Sequence, residues 1–387
     1  MASRQAWRKA WWQIHKWVGL FLMVLLIPLG LSGIVLAWDD AIDHVIHPQR
    51  YAVSGAPVLG PSAYTQVAAT RLKPDERIVG IRYPDEGNGP VIVTITQVRD
   101  DNAKKAHGDK GRGGKGAGMP QRSTLWLDPA DGHVLDMQRG RGNDIISLSH
   151  AFHGSLFVPG FGRALIGLLG VAMALMAIGG VWLWWPPIGS WIKGLRWQRG
   201  DRRLDTNLHH RYGFWIALPL ALQACTGVWI AWPQMMAVVR GAPAPGAGMI
   251  RAKMVPAAQT HLSPDAALGA ARAAASGAPA SINWPLKDDA TWRVVMATAH
   301  GPASLKVDDD SAAVTPAPAR AATLADTMRH IHDGSLIGWG WRVLMVAWGL
   351  APTVLGVTGL LMWLRGRRWR ARAVQRGRSR KEPVAAA

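Results

Sequence analysis

Four stretches of the chain carry no charged side chain: Trp17–Trp38, Ala164–Trp185, Tyr212–Trp232 and Val343–Leu364. A helix rises about 1.5 Å per residue, so about 20 apolar residues cross about 30 Å of hydrocarbon. Each stretch meets that length, and the pattern predicts four transmembrane helices. Between them the pattern changes. Val91–Val98 and Ser123–Leu127 read as strands, followed by a turn at Asp128–Gly132 and by Val134–Leu135. Further on, a helical run at Pro264–Ser276 precedes strand-like Thr291–Thr298 and Ser304–Val307, with a turn at Asp308–Asp310. These segments predict two small α+β modules.

Charge turns this pattern into a topology. The chain has a formal net charge of +19. Its excess lies in three short flanks, residues 1–16, 186–211 and 365–387, where the acidic residues are Asp201, Asp205 and Glu382. The positive-inside rule places all three flanks, and both termini, in the cytoplasm. The charge is juxtamembrane, so the nucleic-acid reading of a basic protein is set aside. The 21 Trp against 4 Tyr and 5 Phe cluster where the apolar stretches end, which suits an aromatic belt. The basic start and long apolar run at the N-terminus read as an uncleaved anchor.

The expected organisation is as follows. Residues 1–38 form the N-terminus and first helix, 39–149 a first periplasmic module, and 150–185 an approach segment and second helix. A basic cytoplasmic loop at 186–211 leads to the third helix at 212–232. A second periplasmic module at 233–328 precedes an approach and fourth helix at 329–364, and 365–387 is a basic tail. Cys225 is the only cysteine, which excludes disulfides, thiolate zinc sites, Cys-ligated clusters and C-x-x-C-H haem attachment. The run GRGGKGAG within 101–121 resembles a phosphate loop. It lacks the leading strand and following helix, and reads as a hairpin tip.

The membrane segments repeat. Residues 14–38 lie over 208–232 at a shift of 194, pairing His15 with His209, Gly33 with Gly227 and Trp38 with Trp232. Residues 153–184 lie over 332–363 at a shift of 179, pairing His153 with His332, Arg163 with Arg342, Gly180 with Gly359 and Trp184 with Trp363. The fold expected is an integral membrane α-protein, four transmembrane helices in two pseudo-twofold repeats. Such an axis brings His15 to His209 near the cytoplasmic face and His153 to His332 near the outer face. Two imidazoles facing across a bundle, with no thiolate available, are what bis-His haem ligation requires. His150, His210 and His330 rank behind these four as ligands. Arg163 and Arg342 are candidates for haem propionates, or interface anchors. His44 and His47 read as surface residues. Ser32-Gly33, Thr226-Gly227, Gly179-Gly180 and Thr358-Gly359 occupy matching positions, and either a macrocycle or plain helix packing accounts for them.

The H-x-x-x-G starts of the first and third stretches, the S/T-G…W ends, HGSL at His153 and IHDGSL around His332 resemble the PepSY-associated transmembrane proteins. The run TLWLDPADGHVLDM resembles a PepSY domain with its D-P-x-x-G turn. In the second module Asp308–Asp310 replaces that turn and the Gly is absent. The resemblance implies PepSY-like modules, two haem b, a bacterial inner membrane and reduction of ferric siderophores in iron acquisition. No strand-led G-x-G-x-x-G occurs, so the electron donor is expected to be a quinol or a separate cytoplasmic reductase. Two other readings stand beside this one. The first is a PepSY binding or regulatory protein on a membrane anchor without haem. The second is a di-haem carrier serving a periplasmic oxidoreductase.

Overall fold

The structure, a computed structural model, describes residues 2–85, 89–98, 121–184, 203–233, 255–317 and 323–379. The Gly/Lys stretch as far as residue 120, the basic connection up to residue 202, residues 234–254 and the tail beyond 379 lie outside the described residues. In chain order the helices are α1 (Ala2–Ala37), α2 (Asp39–Ile46), α3 (Pro61–Ala69), α4 (Ile145–Ser155) and α5 (Gly162–Trp184). They continue with α6 (Leu204–Ala231), α7 (Pro264–Ala274), α8 (Leu324–Asp333) and α9 (Trp339–Ser379). The strands are β1 (Glu76–Arg82), β2 (Val91–Gln97), β3 (Arg122–Leu127), β4 (Val134–Arg139), β5 (Ala278–Asn283), β6 (Thr291–Thr298), β7 (Gly301–Asp308) and β8 (Val314–Pro316). The chain divides into two compact units, Met1–Trp38 with Ser149–Met236 and Thr323–Ala387, and Asp39–Leu148 with Ala237–Ala322.

In the first unit α1, α5, α6 and α9 are long and apolar enough to cross a membrane. The charge-free windows underestimate two of them. With 36 residues α1 is about 54 Å long, and with 41 residues α9 is about 60 Å. Both continue through their basic flanks because Arg, Lys and Ala are good helix formers, so loss of hydrophobicity does not end the helix. The four pack in a ring, α1 and α6 each lying against both α5 and α9. Glycines set the closest crossings. A Cβ on Gly349 would lie 2.8 Å from the Gly30 carbonyl oxygen, and one on Gly170 would lie 2.7 Å from Val228 Cγ2. Lipid offers helices no hydrophobic drive to associate, so backbone approach at small residues supplies much of the packing.

The second unit is one open antiparallel sheet of eight strands, ordered β4-β3-β2-β1-β5-β6-β7-β8. The two segments read from sequence as separate modules each give four consecutive strands, and β1 pairs with β5 through Gly80–Asn283, Ile81–Ile282 and Arg82–Ser281. They share one core, with Ile81, Val93 and Leu125 on one side of that seam and Ile282, Trp292 and Val307 on the other. Tyr64 and Ala68 of α3 and Leu268 and Ala271 of α7 pack onto it. β1 and β5 escaped the strand reading for local reasons. Glu76 opens β1, buried because Arg139 bonds both its oxygens, and β5 is a run of small and polar residues.

The turns that close β3–β4 and β7–β8 are alike in backbone and differ in side chains. Asp128 N–H donates to His133 and Gly132 N–H to Asp128; Asp308 N–H donates to Ala313 and Ala312 N–H to Asp308. The left-handed position is Gly132 (φ 77°) in the first and Ala312 (φ 56°) in the second. The buried Asp128 carboxylate accepts from Ser54 N–H, the Ser54 hydroxyl and Ala130 N–H. Burial opposes its charge, but these donors outweigh burial and hold its pKa below the usual carboxylate range. In the second turn Asp309, one residue later, takes this part, accepting from His261 N–H, Leu262 N–H and Trp292 Nε1–H. A left-handed Ala costs about 1–2 kcal/mol that Gly does not. Ala312→Gly should therefore slow amide exchange in the β7–β8 hairpin several-fold, by about 0.5–1 kcal/mol after the added chain entropy of Gly. Gly132→Ala should speed exchange in β3–β4. Faster exchange in Ala312→Gly would contradict the assignment.

Candidate functional site

His153 and His332 each lie in the last turn of a short helix leading to a membrane helix. The second is tightly specified. Thr323 and Asp326 form a capping box that starts α8, and Gly334 ends it in the left-handed conformation (φ 86°). The first ends with Leu156 and Phe157 both left-handed (φ 50° and 59°), their N–H groups bonding Phe152 and Ala151 carbonyls. Consecutive non-glycine residues in this region are strained, and here they turn the chain directly after His153.

The rings are held by one recurring device. His153 Nδ1 is 3.0 Å from the Leu29 carbonyl oxygen and 3.1 Å from Ser32 Oγ. His332 Nδ1 is 3.2 Å from the Gln223 carbonyl and 3.0 Å from Thr226 Oγ1. His209 Nδ1 is 3.1 Å from both the Leu355 carbonyl and Thr358 Oγ1. In each case the hydroxyl residue is followed by a glycine against which the ring lies. A Cβ on Gly33, Gly227 or Gly359 would meet the Cε1 of His153, His332 or His209 at 3.1, 3.0 and 3.3 Å. These glycines therefore make room for imidazoles, and neither reading from sequence anticipated that.

The device fixes the tautomer. A carbonyl only accepts, and each hydroxyl already donates to its own helix, Ser32 to Leu29, Thr226 to Leu222 and Thr358 to Val354. Nδ1 must then carry the proton, which leaves the ring's lone pair on Nε2. His15 differs. Its Cε1 lies 3.2 Å from where a Cβ on Gly180 would stand, but the preceding residue is Gly179. Its Nδ1 is buried without a hydrogen-bond partner.

The structure brings His153 and His332 together, ring centroids 6.1 Å apart and planes tilted by 58°. That spacing would leave room for a metal bonded to a nitrogen of each ring, such bonds being about 2 Å for nitrogen on zinc. His15 and His209 line one cavity of about 870 Å³, otherwise mostly apolar, that runs from Arg8, Lys9 and Arg370 inward to Met173 and Leu220. Gly180 and Gly359 line it too. An apolar pocket of this size with a basic rim suits a flat macrocycle bearing carboxylates. Seventeen positions of α1 separate His15 from Ser32, the contact of His153, so the two levels are about 25 Å apart along the helix.

The remaining candidates are placed as follows. His150 and His330 are exposed, and His330 Nδ1 bonds Ser335 Oγ at 2.6 Å. His210 lines the cavity beside His209, rings 6.0 Å apart and edge to face. Arg163 is exposed and donates to the Ile230 carbonyl at 2.7 Å, near the end of α6. Arg342 is half-buried with its Cγ beside Gly334. His44 is exposed and stacks on Tyr51, and His47 bonds Asp43. Sequence reasoning missed Arg211, 1% exposed in α6, and the Asp205–Arg365 ion pair at 2.5 Å. Arg211 and Arg365 each lie one residue outside a charge-free window, and that position was the available signal. Among the described residues no group of three or more His, Cys, Asp or Glu is placed to hold a bare metal ion.

No curated protein matches the chain. The family described as the PepSY-associated TM region matches residues 12–366, a span that takes in all four charge-free stretches, the four paired histidine positions and the sheet. The chain belongs to the PepSY-associated TM family.

Proposed function

We propose that the protein is a di-haem b reductase of a bacterial inner membrane that carries electrons across the bilayer to a ferric siderophore or similar Fe(III) chelate in the periplasm. The observation that carries this reading is the anchor common to His153, His209 and His332: Nδ1–H on a carbonyl and a hydroxyl, which leaves the lone pair on Nε2. Family membership and the siderophore-reductase resemblance support it. Haem b, when bound, supplies a one-electron Fe(III)/Fe(II) couple. His15 and His209 hold one group, His153 and His332 the other. The chain fixes the orientation of three of these rings, and around each pair it excludes water and lowers the local dielectric. The two pseudo-twofold repeats, each a helix, a periplasmic PepSY-like segment and a helix, place like residues at like levels.

Reduction releases iron because Fe(II), less highly charged, is held far less tightly than Fe(III) by hard oxygen donors. One electron per iron leaves a donor on the cytoplasmic side or in the membrane, a quinol or a cytoplasmic reductase. The orientation follows from the three basic flanks. Reporter fusions at Gly111 and Pro279 should accordingly be active in the periplasm, and those at Gly194 and Ala387 only in the cytoplasm. A periplasmic C-terminus would contradict the scheme.

Ligand assignment follows from the pairing. His15→Ala and His209→Ala should each lose the same haem, and His153→Ala and His332→Ala the other, each protein keeping about half the wild-type haem. A double substitution within a pair should lose no more than a single one, whereas His15→Ala with His332→Ala should be nearly colourless. Substitution at His150 or His330 should change the spectrum little. Pyridine haemochrome quantitation reads these counts directly. Loss of the same haem from His15→Ala and His153→Ala would sink the two-level arrangement.

A further inference from the structure

The four imidazoles are not equivalent. Ser32, Thr226 and Thr358 each place a hydroxyl beside an Nδ1, and at His15 the matching position is Gly179. The room that Gly179 leaves is taken by Trp11, whose Nε1 lies 2.4 Å from where a Cβ on Gly179 would stand. An indole N–H is a donor only, so it cannot replace the missing acceptor. Among the described residues neither Trp11 Nε1 nor His15 Nδ1, both buried and one helical turn apart on α1, has a hydrogen-bond partner.

From this asymmetry we propose that Gly179 is a tuning residue: by leaving the His15 Nδ1 proton without an acceptor, it makes the metal centre between His15 and His209 the more easily reduced of the two. The inference rests on the di-haem reading. A ligating imidazole that donates its second proton becomes more basic, and greater basicity favours the more highly charged Fe(III). His153 and His332 both donate in this way. In the other pair only His209 does. A second effect has the same sign. The cavity of His15 and His209 is rimmed by Arg8, Lys9, Lys16 and Arg370, and nearby positive charge also favours the less highly charged Fe(II). A centre so poised takes electrons from a weaker reductant.

The test is a spectroelectrochemical titration of the full-length protein in lipid nanodiscs, following both haems. The wave of the His15/His209 haem is assigned with His332→Ala, which retains only that haem. It should be the higher wave in the wild type. Gly179→Ser should lower this wave and leave the other in place, whereas Thr358→Val should raise it. Thr226→Val should instead raise the wave of the His153/His332 haem. Should Gly179→Ser lose haem because its side chain displaces Trp11, Thr358→Val and Thr226→Val decide the matter. Two bound haems whose potentials ignore all three substitutions, or a lower wave for the His15/His209 haem, would overturn this inference alone. A protein that binds no haem would overturn it together with the reading on which it rests.

Discussion

An imidazole that offers Nε2 to a metal must keep its proton on Nδ1, and inside a membrane that proton has no water to bond. Three of the four histidines sit on a fixed grouping that would meet this demand: a carbonyl, a Ser or Thr three residues later, and then a glycine. At His153, His209 and His332 the carbonyl and hydroxyl take the proton, and the glycine lets the ring lie against the helix. Each net hydrogen bond is worth about 1 kcal/mol, but leaving such a buried donor unmatched costs about 1–3 kcal/mol. The grouping thus ties α4 to α1, α8 to α6 and α6 to α9. The close approaches at Gly30, Gly349 and Gly170 join other helix pairs, α1 with α9 and α5 with α6.

The strained corner after His153 belongs to the same scheme. Its counterpart after His332 has Gly334, which takes a positive φ freely, whereas Leu156 and Phe157 do not. The strain is offset by the two hydrogen bonds that close α4 and by the Phe152–Phe157 ring contact at 5.6 Å. The sheet unit tolerates a similar irregularity at Ala312. In both places one half of the chain holds a non-glycine residue at a positive φ where the other has glycine, and in the two sheet turns the hydrogen-bond pattern is retained.

Much of this was legible from the residues. Charge-free windows located the four helices because a charge in hydrocarbon is costly, and the His, Gly and Trp identities marked the positions at which those helices meet. Other parts were hidden for physical reasons. Helix ends lay beyond the windows because Arg and Lys continue a helix as well as Leu does. The single sheet was hidden because a β1–β5 seam is a long-range pairing, and its strands begin with a buried Glu76 or consist of small residues. Ser32, Thr226 and Thr358 were visible only as small residues, since a hydroxyl's role depends on what faces it. Gly179 matched Thr358 in the repeat, but the consequence of the missing hydroxyl emerges only with His15 in place.

The account depends on the four imidazoles binding two metal centres at two levels of one bundle. The most direct measurement is the absorption spectrum and haem-to-protein ratio of the full-length protein purified from membranes. Two haem b per chain, six-coordinate and low-spin in both oxidation states, is the result the account requires. A colourless protein, or one haem per chain in the fully loaded wild type, would contradict it.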